Sequence, residues 1–202
     1  IYGLVVLGLV HPSKLKRNSA AQAGDALILS KPIGVGVLSA ALKKGALDAA
    51  GYARMIEVTT QLNRPGATLA QNDGVHALTD VTGFGLLGHG LEMARGSNAT
   101  LVIDMKSVPL LKDAAALAQQ GCVTGASHRN WTSYGSAATL PSGCADWRRH
   151  LLTDPQTSGG LLIACEPEKA DELARFIVAE GYPHARVIGR VESGQPGIRV
   201  EA

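Results

Sequence analysis

The pattern of apolar and polar positions predicts strands and helices that mostly alternate along the chain. Short apolar, β-branched runs bounded by polar or glycine-containing segments are typical of strands. They occur at 1–10, 26–30, 75–79, 99–104, 161–165, 185–191 and 198–200. Apolar residues at helical spacing predict helices at 38–44, 51–63, 84–94, 108–120 and 167–180, the second disturbed near its end by Pro65.

The segments between these elements are polar or rich in glycine. Residues 13–25 form a predicted connector, residues 124–130 a polar loop, and residues 133–149 an irregular region. Short hairpin-like ends and glycine-rich turns disfavour a regular doubly wound sheet. We therefore predict an α+β fold with a mainly antiparallel sheet covered by helices.

The first apolar run, residues 1–10, is apolar on both faces and ends at His11-Pro12. It is too short to span a bilayer and has no basic flank before it, so the pattern indicates neither a membrane helix nor a signal peptide. Because the chain starts with Ile1 inside a predicted strand, we expect a piece of a longer polypeptide.

The composition is that of an ordinary globular protein, with 46% hydrophobic and 18% charged residues and a formal net charge of +2. No long run of like charges is present, so neither nucleic acid nor a membrane surface is expected as a partner. The three cysteines show no metal-ligand spacing. They are interpreted as reduced thiols of a cytoplasmic protein.

A glycine-rich stretch, residues 78–90, joins a predicted strand to a predicted helix. Asp80 lies where a carboxylate could coordinate a hard cation, and Gly83 and Gly85 allow a close backbone approach to a ligand. The alternative is structural: Asp80 or Thr82 would be an ordinary helix N-cap and Gly88 a helix-packing contact.

Three further places could bind an anion. Lys31 precedes a Gly-x-Gly between a strand and a helix, where free N–H groups can hold a phosphate, although such glycines are often simple turn formers. Thr157 and Ser158 belong to a dense turn at 152–160, in which Asp154 could pair with a cation; a structural turn fits the same residues. Arg129 could bind phosphate or carboxylate, or be an exposed loop arginine.

Four segments carry a family resemblance. The strings TDVTGFGLLGH (79–89) and DPQTSGGLL (154–162), supported by LSKPIGVGV (29–37) and Arg129-Asn130, resemble the C-terminal half of selenophosphate synthetase, also called selenide, water dikinase. The resemblance implies the C-terminal-domain fold shared with aminoimidazole ribonucleotide synthetase and thiamine monophosphate kinase. It also implies an enzyme that converts ATP, selenide and water to selenophosphate, AMP and phosphate.

By this resemblance, Asp80 matches one of three aspartates that hold Mg²⁺, and the loops carrying Lys31, Arg129, Thr157 and Ser158 lie on the phosphate side. The nucleophilic cysteine or selenocysteine and its neighbouring lysine would lie upstream of Ile1, so no catalytic residue is expected in this chain. The implied partners are ATP and selenide as substrates, the N-terminal half of the same protein, and a second copy in a homodimer. The isolated chain is expected to be inactive. The resemblance also implies that residues 1–12 are a remnant strand of a missing N-terminal ATP-binding domain and that residues 13–202 form a C-terminal α+β domain.

Two alternatives stay open at this point. The chain could belong to another ATP-dependent enzyme of the superfamily, acting on a ribonucleotide or a thiamine phosphate. It could also be a stand-alone binding domain without chemistry. An upstream cysteine or selenocysteine followed closely by lysine would favour selenophosphate synthesis, and a gene that starts near Ile1 would favour the binding domain.

Overall fold

The fold is built on one mixed β-sheet. A computed structural model describes residues 7–202 together with Gly3 and Val5. Within those residues the sheet has seven strands: β1 (Ala26–Leu29), β2 (Val75–Asp80), β3 (Thr100–Asp104), β4 (Ala138–Thr139), β5 (Leu161–Cys165), β6 (Arg186–Glu192) and β7 (Gly197–Glu201).

The strands are arranged in the order β2-β5-β1-β6-β3-β7-β4. The pairs from β2 to β3 are antiparallel, whereas β3 with β7 and β7 with β4 are parallel. The predicted α+β fold with a mainly antiparallel sheet is therefore confirmed.

Helices cover the sheet, and both of its faces are buried near the centre. The helices are α1 (Val35–Lys43), α2 (Ala49–Thr60), α3 (Pro65–Leu69), α4 (Gly85–Ser97), α5 (Ala114–Gln119), α6 (Gly125–Tyr134), α7 (Asp146–Leu152) and α8 (Ala170–Ala179). Leu27 and Leu29 of β1 pack in the cluster that includes α4, and Ile28 packs in the cluster that includes α8. This alternation explains why β1 is a continuous apolar run in the sequence.

A third apolar cluster joins α1, α2, α5 and α7 beside the sheet. It contains Val37 and Leu38 of α1, both fully buried, and Met55 and Val58 of α2. The apolar face predicted for the second helix is thus part of the core, although Tyr52 and Ile56 on the same helix are exposed.

Several local predictions were wrong. The predicted loop at 124–130 is largely helix α6, which begins because the Thr124 side chain accepts a hydrogen bond from the Ser127 N–H at 3.1 Å, as an N-cap does. The region 133–149, predicted to be irregular, contains β4 and the start of α7. Pro65 starts α3 rather than only disturbing the preceding helix, since the first helical position needs no N–H donor.

The predicted first strand falls partly outside the described residues, which omit Ile1, Tyr2, Leu4 and Val6. Residues 7–10 form no strand, and Leu7 and Leu9 are 92% and 105% exposed. The assignment of residues 1–12 to another domain stays a prediction. Within the described part of the chain, no helix has both the length and the apolarity that crossing a membrane requires.

Candidate functional site

The glycine-rich loop after β2 and the turn before β5 lie side by side. The Val81 N–H donates to the Gly160 carbonyl at 2.8 Å, and the Gln156 N–H donates to the Thr82 carbonyl at 3.0 Å. Because β2 and β5 are adjacent antiparallel strands, the end of one meets the start of the other. The two long sequence motifs therefore form one continuous surface.

Glycines make this close contact possible. A Cβ atom at Gly159 would lie 2.0 Å from the Val81 carbonyl oxygen, and one at Gly85 would lie 2.7 Å from the Thr153 carbonyl carbon. Gly85 also has a φ of +72°, which side-chain-bearing residues rarely adopt. These glycines therefore serve packing between protein segments rather than access of a ligand to the backbone.

The third motif segment lies at the start of α1. Its backbone N–H groups are bound by two side chains of the turn before β5. Gln156 Oε1 accepts from the N–H groups of Gly34 and Val35 at 3.1 and 3.2 Å. Asp154 Oδ2 accepts from those of Gly36 and Val37 at 2.8 and 3.3 Å. The free N–H donors of a first helical turn are thus already used, so the anion site that the Gly-x-Gly pattern allowed is not open.

Asp154 is fully buried under α1. Its Oδ2 atom also accepts from Gln156 Nε2 at 2.9 Å, whereas Oδ1 has no hydrogen-bond partner among the described residues. Burial raises the pKa of this carboxyl to about 7, against the opposite effect of its hydrogen bonds from Gln156, Val37 and Gly36. Gly36 permits the approach, because a Cβ there would lie 2.4 Å from Oδ1.

Lys31 lies beneath the same turn and is 1% exposed. Its Nζ atom donates to the carbonyls of Val58, Gln61 and Ser158 at 3.3, 2.6 and 2.8 Å, and burial lowers the pKa of this ammonium. An ammonium has three donors, so none is left for a phosphate in this arrangement. Lys31 instead joins the end of α2, where a helix favours a cation, to the turn at Ser158.

Two buried or half-buried amides connect the loops further. Asn130 Nδ2 donates to the Gly83 carbonyl at 2.9 Å and to the Thr153 carbonyl at 3.0 Å. Asn63 Nδ2 donates to the Gly159 carbonyl at 2.8 Å. Each loop of the surface is therefore fixed by side chains from helices or turns on another part of the fold.

His89 on α4 fixes the orientation of the Thr82 hydroxyl. Its Nδ1 atom lies 3.0 Å from Glu92 Oε2 and its Nε2 atom 3.1 Å from Thr82 Oγ1. In the tautomer with its proton on Nδ1, the ring donates to Glu92, and Nε2 accepts the hydroxyl proton of Thr82. The lone pairs of Thr82 Oγ1 are left for other contacts.

Several groups of this surface stay exposed to solvent: Asp80, Gly83, Phe84, Thr157 and Ser158. No ion pair among the described residues involves Asp80. Within those residues there is also no group of three or more His, Cys, Asp or Glu side chains placed to hold a metal ion. A cation at Asp80 would therefore need further ligands from solvent, from a substrate, or from residues beyond those described.

The domain that carries this surface matches a known protein family. The family model described as AIR synthase related protein, C-terminal domain, matches residues 22–201. The chain belongs to this family. The match covers all of the strands and helices that build the candidate site.

Among curated proteins, this AIR synthase related C-terminal domain is similar to selenide, water dikinases. It is 58% identical to that of Paraburkholderia xenovorans (strain LB400) and 56% identical to that of Rhizobium meliloti (strain 1021), over 99% of the chain in each case. The resemblance to the C-terminal half of the selenophosphate synthetases is confirmed. The chain spans about half the length of these relatives, 56% and 57% respectively.

Solved structures show the same fold at lower identity. E. coli HypE matches with a TM-score of 0.68 and 19% identity, over 93% of this chain and 49% of its own. The thiamine-monophosphate kinase of Stenotrophomonas maltophilia K279a matches with a TM-score of 0.64 and 23% identity, over 95% of this chain and 54% of its own. At these identities the likeness concerns the fold.

The site residues predicted from the sequence lie at three kinds of location in this domain. Asp80, Thr157 and Ser158 are exposed on the surface formed by the two motifs. Lys31 lies below it, bound to carbonyls, and Arg129 is exposed on α6 beside the buried Asn130.

Sequence reasoning missed the residues that hold the surface together, namely Asp154 and Gln156 as caps of α1, Asn130 and Asn63 as links between loops, and His89 with Glu92. Only His89 and Glu92 had a local signal, because side chains three apart on a helix lie close together. The other contacts join segments distant in sequence.

Proposed function

We propose that this chain is the C-terminal domain of an ATP-dependent selenophosphate synthetase. The whole enzyme would convert ATP, selenide and water into selenophosphate, AMP and phosphate. The relatives named selenide, water dikinase support this, since the chain matches them along 99% of its length. The observation that carries the proposal is the joining of the Asp80 loop and the Thr157–Ser158 turn in one exposed surface.

Asp80 is the residue that would hold Mg²⁺. Its exposed carboxylate at the end of the edge strand β2 suits a hard cation that prefers oxygen ligands and keeps other positions for water and substrate phosphates. When bound, the ion would neutralise charge on the phosphates of ATP. The oriented hydroxyl of Thr82, two residues away, adds a neutral oxygen to the same loop.

The turn at 157–158 would face the phosphates. Both hydroxyls are exposed, and Ser158 has the left-handed backbone conformation, with φ of 50°. Lys31 holds the Ser158 carbonyl from below, so the turn is fixed before any ligand binds. This lowers the conformational entropy that binding would cost. Arg129 on α6 would add a cation on the phosphate side.

Other elements of the proposed enzyme come from outside this chain. The nucleophile, its lysine and the other magnesium aspartates would belong to an N-terminal half, and two copies would form a cytoplasmic homodimer. With Asp80 as its only magnesium aspartate, the 202-residue chain would neither turn over ATP nor bind it tightly.

The test is product analysis by phosphorus NMR. A longer protein that carries this chain behind an N-terminal half, and separately the chain itself, receive ATP, Mg²⁺ and selenide under reducing conditions. The proposal expects selenophosphate, AMP and phosphate from the longer protein only. Selenophosphate from the chain alone would contradict the division of roles. ATP consumption with thiamine monophosphate but not with selenide would place the domain in a thiamine monophosphate kinase instead.

A further inference from the structure

A cavity of about 260 Å³ lies between α2 and the turn at 181–184. Its floor is formed by residues 30–32 after β1, and the segment 110–112 closes one side. Asp80, Thr157 and Ser158 do not line it. The cavity is therefore distinct from the surface of Asp80, Thr157 and Ser158, although Lys31 contacts both.

Most of the cavity wall is apolar. It is built from the side chains Pro32, Val58, Leu110, Leu111, Tyr182 and Pro183. Tyr182 is 3% exposed, and its hydroxyl donates to the Leu62 carbonyl, so its polar end already has a partner. A cavity of this size is slightly smaller than typical sites for drug-sized ligands, which span roughly 300–1,000 Å³, and suits a small molecule.

Several of the polar side chains around the cavity are basic. Arg54, Lys112 and His184 line it, against one carboxylate, Glu57. Lys31 also lines it, but its ammonium is occupied by three carbonyls. The surroundings therefore favour a ligand with a negative charge.

Arg54 lines the cavity and has one nitrogen atom without a hydrogen-bond partner among the described residues. Its Nη2 atom donates to Asp113 Oδ2 at 2.7 Å, whereas its Nε atom is buried and has no hydrogen-bond partner among the described residues. A planar carboxylate matches the donors of a guanidinium that lines the cavity.

We propose that this cavity is a binding site for a small organic carboxylate with an apolar body. The carboxylate accepts from Arg54 and is attracted by Lys112, and the body packs against Val58, Leu110 and Tyr182. The site does not depend on the reaction proposed for the domain, because Arg54 and Lys112, which would hold the carboxylate, have no role in that reaction; Lys31 is the lining residue that also supports the Ser158 turn.

The test uses the 202-residue chain and benzoate as the probe, followed by amide-correlation NMR and calorimetry. Benzoate should give saturable shifts confined to residues around 54–61, 110–112 and 181–184. Benzamide, which has the same shape without the charge, should bind at least about tenfold more weakly. Inorganic phosphate, which lacks the apolar body, should also bind more weakly than benzoate.

Variants separate the site from nonspecific binding. Arg54→Met keeps the aliphatic stem and should abolish the shifts, and Lys112→Met, at an exposed position, should weaken benzoate several-fold. The matched control is Lys43→Met, on α1 and outside the cavity lining, which should bind like the unmodified chain. If Arg54→Met does not fold, the proposal is tested by benzoate binding to Lys112→Met and by the comparison of benzoate with benzamide.

Four results would overturn the proposal. Three are no saturable shift up to the solubility limit of benzoate, equal binding of benzoate and benzamide, and shifts that persist unchanged in Lys112→Met and Arg54→Met. Phosphate binding as tight as benzoate would overturn it as well, since the apolar walls would then have no role.

Discussion

At the scale of single residues, the candidate site depends on two ionisable side chains that are almost completely buried, Asp154 and Lys31. Among the described residues, neither pairs with an opposite charge. Asp154 receives backbone N–H groups at the start of α1, and Lys31 donates to carbonyls at the end of α2 and in the motif turn. Both therefore stabilise backbone ends that a helix leaves unpaired.

Asp154 predicts a specific pH dependence of stability. Its pKa is about 7 in the folded chain against an ordinary value of 3.8. As the pH rises between these values, the unfolded chain releases the proton and the folded chain keeps it, so stability is lost up to about pH 7. Asp154→Asn should remove this contribution, which is a few kcal/mol at most because one pKa unit corresponds to about 1.4 kcal/mol.

The measurement is urea unfolding of the wild-type chain and of Asp154→Asn at a series of pH values. Other carboxylates titrate in both proteins and cancel in the difference. The difference in the free energy of unfolding should shift in favour of the asparagine variant as the pH increases from 4 to 7. A constant difference over this range would show that Asp154 ionises normally.

Lys31 predicts a large loss of stability on truncation. Lys31→Met retains most of the aliphatic stem but leaves the carbonyls of Gln61 and Ser158 without their donor. We expect a loss of about 2–4 kcal/mol in urea unfolding. The exposed Lys43→Met should change stability by less than about 0.5 kcal/mol. Equal stabilities of the two variants would mean that Lys31 is free for a ligand after all.

At the scale of elements, the site is an arrangement of three loops held by close backbone contacts. The end of β2, the turn before β5 and the start of α1 meet within hydrogen-bond distance. Gly159 and Gly85 are needed because neighbouring backbone atoms occupy the place of a side chain. A change at either glycine would therefore act on two motifs together.

Gly159→Ala tests this arrangement. The new Cβ would lie 2.0 Å from the Val81 carbonyl oxygen, so the turn must move away from the Asp80 loop at a cost of about 1–3 kcal/mol. Gly83→Ala is a matched control in the same surface, because no atom lies within 4 Å of its Cβ position. Amide NMR shifts at residues 80–82 should change in the first variant. Similar small effects of both variants would contradict the packing role.

The sequence was sufficient to predict most strands and helices because their signal is local. The continuous apolar run of β1 and the helical spacing of apolar residues in α2 directly indicate which positions are buried. The helix α6 was missed because its residues are polar and its start depends on one cap, Thr124. The roles of Asp154, Gln156 and Lys31 could not be predicted, since each contact joins residues more than 25 positions apart.

At the scale of the whole molecule, the domain presents a surface whose loops are fixed by its own fold but which carries few carboxylates for the proposed metal. The described residues bring one exposed aspartate, Asp80, together with hydroxyl groups. The chain also spans only about half the length of its selenide, water dikinase relatives. These facts support the proposal that the rest of the site is supplied by another part of a longer protein.

The most direct measurement is a magnesium titration of AMP formation by the longer protein, with Asp80→Asn compared with Asp171→Asn. Asp171 is an exposed aspartate on α8, away from the motif surface. The proposal predicts that Asp80→Asn loses most turnover and needs more Mg²⁺ for what is left, while Asp171→Asn behaves like the wild type. Wild-type turnover and magnesium dependence in Asp80→Asn would show that this surface does not hold the metal.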